Sequence, residues 1–508
     1  MREQSSILWM TIGTSLATFL DSFDLSVANV ALPYIAGDLG ISVNQSAYVI
    51  TSYMIGIGIS IAKTQWLGER FGKVRLMISC ILLFTFFSCV CGTARNIQFL
   101  SIARFLQGLA AGPIVPLSHT FITIFIPKEK RERMFGLWGA VFILSWVFGP
   151  LAGGWITTRF SWPWIFYINL PIGLLSAFLI ARTLKIEPLH SEKVNQDWRG
   201  AIAGSAFVIL WQILLDTGQQ SDWWSSPSIR ALFIASSLLL LYLIPWWWNH
   251  PKPFLNIHLF QNFLFFKLTI YMSLICIMDA AILILIPLWR QTYGNFDALW
   301  AGISLAPFGV GALLSAMTHN KIFKMLGLIG GVSLGLLISA TSFFWQAYTL
   351  TTDCTILATS LPRFLLGFGT MLCFIGLGLL LEICIEPAKF FESTGLFHFC
   401  RSIFAAVGTT LSITLWQRRT AKHRGNLVDS ITDYNQESLN FFSSLESKGF
   451  SHDQSALEIS NLIDEQAALL ALNDCLWLMG WMSLILAIVW ILRFKKTESA
   501  CALVKNTR

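Results

Sequence analysis

Charge is scarce in this sequence. Asp, Glu, Lys and Arg together make up 12% of 508 residues, about half of what a soluble domain carries. With 55% hydrophobic residues and a mean hydropathy of +0.63, that scarcity excludes a soluble globular protein. No GxxxxGK[ST] loop is present, which argues against ATP as the direct energy source. No Ser/His or His/Asp constellation and no metal-ligand spacing stands out, so no enzyme, metal site or cofactor is expected. The ten cysteines lie mostly in apolar runs (Cys80, Cys276, Cys373, Cys400) and read as small packing residues. The first apolar run is too long for a signal-peptide core and lacks a small-residue cleavage site. The net charge of +7 does not imply nucleic acid, because the basic residues sit in short loops.

What the sequence has in abundance is long apolar runs. A membrane-spanning helix needs about 20 apolar residues. Such runs recur at roughly 7–33, 46–67, 74–94, 98–126, 135–157, 163–184, 199–217, 230–249, 263–289, 298–318, 322–346, 354–383, 391–417 and 469–493, fourteen in all. The short alternating segments of a β-barrel do not stand out. The fold class is therefore an all-α polytopic membrane protein. One set of alternate loops holds Arg70, Lys73 and Arg75, then Lys128 to Arg133, then Lys185, Lys193 and Arg199, then Lys252, Lys321 and Lys324. The positive-inside rule makes that face cytoplasmic and places both termini there. Glu382 and Glu386, near the cytoplasmic end of span 12, read as solvated. The polar segment 418–468 is then external, with "ALEISNLIDEQAALLAL" as an amphipathic helix entering the last span.

The chain also repeats itself. "ARFLQGLAAG" (103–112) matches "PRFLLGFGTM" (362–371) at Arg104/Arg363, Phe105/Phe364, Leu106/Leu365 and Gly108/Gly367. At the same offset, Gly136, Leu137 and Gly149 match Gly395, Leu396 and Gly408. This predicts two six-helix halves, 1–184 and 263–508, with a helix pair inserted at 185–262. Parallel repeats of this kind put a substrate site between the halves at mid-membrane.

Several motifs resemble those of one family. "FDLSVANVALPYIAGDLG" resembles "LDxTxxNVALPxIAxDLG" through Asp24, Ser26, Asn29, Ala31, Leu32 and Pro33. "QWLGERFGKVRL" resembles "GxLaDRxGRKxxL" through Leu67, Arg70, Gly72 and Arg75, with Gln65 for the first Gly and Glu69 for Asp. "RFLQGLAAG" supplies Arg104, Gln107, Gly108 and Gly112 of "RxxQGxgaG", and "GPLAGG" supplies Gly149, Pro150, Gly153 and Gly154 of "GPxxGG". "WPWIFYINLPIG", "LLDTGQQSDWWSS" and "GLFHFCRSIFAAVGT" resemble further family stretches, with His398 in place of Asn in the last. Together they make the chain similar to the major facilitators of the fourteen-helix drug:proton antiporter subfamily, the EmrB/QacA-like group, over almost its whole length. The resemblance implies a proton-driven exporter of amphipathic small molecules working by alternating access in a bacterial inner membrane. It implies a tight charged turn at Glu69, Arg70, Gly72 and Arg75, and a seal on one side of the cavity at the GPxxGG element. It also implies a periplasmic adaptor and an outer-membrane channel as candidate partners, with 418–468 as the docking surface.

The intramembrane charges are the candidate site. A carboxylate at the centre of a spanning helix costs about 2.5–3.5 kcal/mol on insertion scales. Asp21 and Asp24 are three residues apart on one helical face, and Asp21 lies outside the family motif. Two such acids are expected to titrate jointly and to share a proton that is exchanged for substrate; a cavity-facing Asp21 without that role is the alternative. Arg104 needs an acid or carbonyl partner, and Asp24 fits, either for coupling or as a structural tie. Asp279 lies eight residues before Pro287, much as Asp24 lies nine before Pro33, which suggests a second-half counterpart. His398 and Arg401 complete the second-half candidates, with packing the favoured role for His398. Cavity acids favour cationic substrates; buried arginines would favour anions. A dedicated transporter of one metabolite, such as a siderophore or fatty acid, is the alternative to multidrug export. An intramembrane enzyme and a channel are the more distant possibilities.

Overall fold

The computed structural model describes residues 2–184, 197–219, 221–251, 253–294, 296–352, 354–385, 390–429, 431 and 436–494. Among these residues all regular structure is helical. Inside a bilayer every backbone N–H and C=O must be satisfied within the segment, which long helices achieve. In chain order the helices are α1 (Arg2–Leu39), α2 (Tyr48–Ile61), α3 (Thr64–Phe71), α4 (Lys73–Gly92), α5 (Ile97–Ala111), α6 (Ile114–Phe125), α7 (Lys128–Arg159), α8 (Trp164–Tyr167), α9 (Asn169–Thr183) and α10 (Trp198–Gly218). They continue as α11 (Pro227–Asn249), α12 (Phe263–Thr292), α13 (Ala298–Thr349), α14 (Ile356–Cys384), α15 (Phe390–Asp429), α16 (Gln436–Ser447) and α17 (His452–Phe494). Spans 4 and 6 are each built of two successive helices (α5–α6 and α8–α9), span 2 is α2 followed by the short α3, and α13 holds two spans. Polar residues set several helix starts. Asn96 accepts from the Phe99 amide at 2.8 Å, Asp197 from Gly200 at 2.7 Å and Asp297 from Trp300 at 2.8 Å.

Three boundaries differ from the sequence reading. The break between the tenth and eleventh spans falls at Gly327, whose φ of +71° and ψ of 170° interrupt α13, and not at the polar 319–321 stretch. A glycine can take that backbone conformation; His319, Asn320 and Lys321 simply continue the helix. The 418–468 segment is not a loop with one helix. The thirteenth span runs on as helix to Asp429, and the fourteenth begins at His452. These extensions are clasped by Arg424–Asp464 at 2.6 Å and His423–Asp474 at 2.9 Å. The first span is also longer than 7–33, reaching Leu39 through Pro33.

The internal repeat is visible in the packing. In the first half a Cβ on Gly56 would lie 2.3 Å from the Phe105 carbonyl oxygen, and one on Gly108 2.2 Å from that of Tyr53. In the second half a Cβ on Gly311 would lie 1.9 Å from the Phe364 carbonyl oxygen, and one on Gly367 1.9 Å from that of Phe308. Arg104 Nε donates to the Val49 carbonyl at 3.1 Å, and Arg363 Nη1 to that of Ser304. Small residues here let two helix backbones touch, which substitutes for hydrophobic driving force inside a membrane. The halves meet along α7 against α13 and α2 against α15, while α10 and α11 pack on each other, with α10 also against α2 and α15.

Candidate functional site

A cavity of about 210 Å³ lies where α1, α2 and α7 of the first half face α12, α13, α14 and α15 of the second. Its wall is mainly apolar, with Leu25, Met54, Phe142, Trp146, Leu283 and Phe374 among its residues. Four acidic or basic side chains interrupt it: Asp21 from α1, Asp279 from α12, and His398 and Arg401 from α15.

Asp21 and Asp24 share a helix but not their hydrogen-bond partners. Asp24 is 2% exposed and is absorbed into the first half. Its Oδ2 accepts from Arg104, and its Oδ1 from Asn169 Nδ2 at 2.7 Å and Gln107 Nε2 at 3.1 Å. Arg104 also donates to Gln107 Oε1 at 2.8 Å, and its guanidinium lies 4.1 Å over the Tyr53 ring. Asn169 donates in turn to Ser88 Oγ at 3.0 Å. One charge pair thus joins α1, α2, α4, α5 and α9. Asp21, one turn earlier, lines the cavity and accepts from the Tyr53 hydroxyl at 2.8 Å. Each carboxylate has its own hydrogen-bond donors. Arg104 finds Asp24, as its sequence context suggested.

In the second half, Asp279, His398 and Arg401 converge on the cavity. Asp279 is 9% exposed, and its Oδ1 has no hydrogen-bond partner among the described residues. Asp279 is not the counterpart of Asp24. Gly149 of α7 packs on Ser26, and its repeat partner Gly408 packs on Ile277. Asp24 lies two residues before the first contact and Asp279 two after the second. The proline spacing that suggested equivalence is overruled by helix register. Arg363 is fully buried against the Ser304 carbonyl, where Arg104 has both a carbonyl and the Asp24 carboxylate.

The GPxxGG glycines divide their work. Gly149 packs on Ser26, and a Cβ on Gly153 would lie 2.8 Å from the Val27 carbonyl oxygen, so both face α1. A Cβ on Gly154 would lie 2.3 Å from the Ala298 carbonyl oxygen, and one on Gly302 2.1 Å from that of Pro150, so this side of α7 touches α13 of the other half. Backbone-to-backbone contact here joins α7 to α13 near the end bearing Phe160 and Asp297. In the turn after span 2, Gly72 adopts φ +82° between α3 and α4, which a side chain would strain. Glu69 is exposed, Arg70 lies 5.3 Å over the Trp66 ring, and Arg75 is partly buried. Glu382 is exposed, as its place near a helix end suggested. The side chain of Gln65 lies outside the described residues, as do Lys185, Lys193, Lys252 and Glu386.

Sequence reasoning missed Tyr53 and Asn169, the neutral donors that separate the two α1 acids. Asn169 lies within the quoted "WPWIFYINLPIG", but only the fold brings it to α1. Arg290, which the apolar run left at a span end, is fully buried in α12 and donates to Thr359 Oγ1 at 3.1 Å.

Residues 14–409 match a family model described as Major Facilitator Superfamily. The chain belongs to that superfamily. It is 32% identical over 492 residues to the multidrug export protein EmrB of Haemophilus influenzae, covering 96% of each chain. It is 30% identical over 489 residues to the fatty acid resistance protein FarB of Neisseria gonorrhoeae, again covering 96% of each. Such relatives place it among the drug:proton antiporters of the superfamily. Solved structures with the same fold include a bacterial homologue of the lysosomal transporter Spinster (TM-score 0.60, 14% identity, 95% and 96% coverage) and a POT family peptide transporter (TM-score 0.62, 15% identity, 95% of each chain).

Proposed function

We propose that the chain is a proton-driven exporter of amphipathic small molecules, and that Asp21 carries the exchanged proton. The observation that carries this reading is the cavity wall: an apolar surface between two halves, with one carboxylate from each, Asp21 and Asp279. A site of this kind holds an amphipathic substrate by apolar contact and discriminates by charge. The two acids take protons or a cationic group in turn as the cavity opens to one side and then the other. Asp24 and Arg104 hold the first half as one body, so the halves 1–184 and 263–508 rock about the inserted pair. Orientation follows the basic loops: both termini cytoplasmic, in a bacterial inner membrane, with the helical extensions of α15 and α17 outside.

Transport of one metabolite is the second reading. Similarity to a protein named for fatty acid resistance supports it, and Arg401 in the cavity would suit a carboxylate. Inverted vesicles with an inside-acid gradient, challenged with panels of lipophilic cations and anions, test both readings. A compound that discharges the gradient in wild type but not in Asp21→Asn supports antiport through Asp21. Discharge by anions alone selects the metabolite reading, and no discharge by any compound from folded protein sinks multidrug export. The external helical extension is a docking surface for a periplasmic adaptor in this reading. Deletion of 426–460 that leaves export intact in a folded protein would overturn that part.

A further inference from the structure

The inserted helix pair takes no part in exchange at Asp21, yet it carries an intramembrane acid, Asp216, near the end of α10. Its carboxylate sits at a three-way junction. Oδ2 accepts from Thr51 Oγ1 of α2 at 2.8 Å. Oδ1 accepts from Thr410 Oγ1 of α15 and from Gln212 Nε2 of its own helix, the latter at 2.8 Å. Gln212 also donates to Thr410 Oγ1 at 2.9 Å, and the Tyr48 hydroxyl donates to the Asp216 carbonyl at 3.2 Å. So one side chain, on neither half, holds a helix of each half. It does so at the end where α1 turns into α2, the same end at which Gly154 meets Ala298.

No cation offsets Asp216 among the contacts of the described residues. Of the ionisable groups on the packed elements, Tyr48 of α2, Arg230 of α11 and Arg418 of α15 lie toward this end, and Arg230 is exposed. Tyr53 of α2 bonds Asp21, His398 and Arg401 of α15 line the cavity, Arg419 and His423 pair with Asp474 and Arg424 with Asp464, and Arg199, Tyr242, Glu392 and Lys422 are exposed. Arg418 is engaged with Gln219 Oε1 at 2.7 Å, beyond Asp216 on α10. The junction therefore consists of an acid and neutral donors.

We propose that Asp216 is a coupling residue: as a carboxylate it latches α2 to α15 through Thr51 and Thr410, and on protonation it lets that end of the two halves part. Hydrogen bonds to an ionised acceptor are about twice as strong as neutral ones. Protonation turns these charge-assisted bonds into neutral ones and gives the acid a hydrogen of its own where three donors already point. A proton arriving from the outer side then favours the outward-open arrangement, in which the cavity acids load. The inserted pair becomes the strut that reads outside pH. The direction of proton flow rests on the exporter reading; the latch itself does not.

The test needs no substrate. Leu283 lines the cavity on α12. In Leu283→Cys protein in right-side-out vesicles, the rate of modification of residue 283 by a membrane-impermeant thiol reagent is read by mass spectrometry, which separates it from native Cys276. Acidifying outside from about pH 8 to about pH 5 is expected to raise the rate about tenfold. Asp216→Asn is expected to label fast at both pH values, with a ratio near 1. Thr51→Val, which removes one donor and keeps the acid, is expected to label about threefold faster at high pH and still respond to acid. A wild-type pH ratio in Asp216→Asn, a pH-independent wild type, or an unchanged rate in Thr51→Val each overturns the proposal. Should Asp216→Asn not fold, the Thr51→Val rate decides. Failure here leaves antiport through Asp21 standing, and failure of antiport leaves the latch standing.

Discussion

Replacing Asp24 by Asn and replacing Asp21 by Asn should do opposite things, although the residues are one turn apart. Asp24→Asn keeps the shape of the side chain but removes the carboxylate bonded to the Arg104 guanidinium, which has 0% exposure. Arg104 keeps the Val49 carbonyl and Gln107 as acceptors, but its charge is left uncompensated. Breaking a buried ion pair by removing one partner costs about 3–5 kcal/mol. Asn169 and Gln107 each also lose a charged acceptor, and their amides then compete with the amide that the substitution introduces. Asp21→Asn removes no ion pair: the Tyr53 hydroxyl can still donate to the new amide oxygen, and the cavity supplies room. A stability change within about 1 kcal/mol is expected there, the value of an ordinary neutral hydrogen bond.

Thermal or denaturant unfolding in detergent, run beside proton release in vesicles, separates the two. Asp24→Asn should be strongly destabilised, and Asp24→Asn with Arg104→Gln should recover part of the loss, because the uncompensated charge is gone. Asp21→Asn should melt like wild type and lose proton exchange. If Asp24→Asn is as stable as wild type while Asp21→Asn exchanges protons normally, the division of labour between the two acids is wrong.

Three further outcomes are expected. Gly108→Ala and Gly367→Ala should each destabilise by about 1–3 kcal/mol through overpacking, and by similar amounts, because each Cβ would press on a backbone carbonyl of the neighbouring helix at 2.2 Å and 1.9 Å; unfolding of the two variants checks this. Gly154→Ala should leave the fold intact but hold α7 off α13, raising thiol modification at residue 283 in the Leu283→Cys background and slowing export. Between α16 and α17, Glu446 Oε1 lies 3.0 Å from His452 Nδ1 and raises the imidazole above its ordinary 6.5. The tie is therefore fully present below that value and fades as pH rises through the higher, folded-state value. An NMR titration of His452 should show the upward shift, and Glu446→Gln should abolish it.

The parts legible in the sequence were those governed by the bilayer. Apolar runs had to become helices because nothing else among these segments satisfies the backbone in lipid, and the repeat match of Gly108 with Gly367 marked two equivalent positions where helices touch; their contact partners Gly56 and Gly311 emerged only in the fold. Registers between helices were not legible. Proline spacing suggested that Asp279 repeats Asp24, but a membrane helix turns its charge inward or sideways according to which neighbour it packs on, and Gly408 on Ile277 fixes α12 differently from the way Gly149 on Ser26 fixes α1. Asp21 and Asp24 show the same limit at shorter range. Three residues along a helix leave two side chains only about 60° apart around the axis, yet the donors they meet differ: Asp24 bonds Arg104, while Asp21 bonds Tyr53 and lines the cavity. Helix ends beyond the membrane were hidden for another reason: α15 past Gln417 is mostly polar, and the clasp of Arg424 with Asp464, contributed from forty residues downstream, ties it to α17. The charge of Arg424 is visible in the sequence, but that Asp464 answers it exists only in the folded bundle.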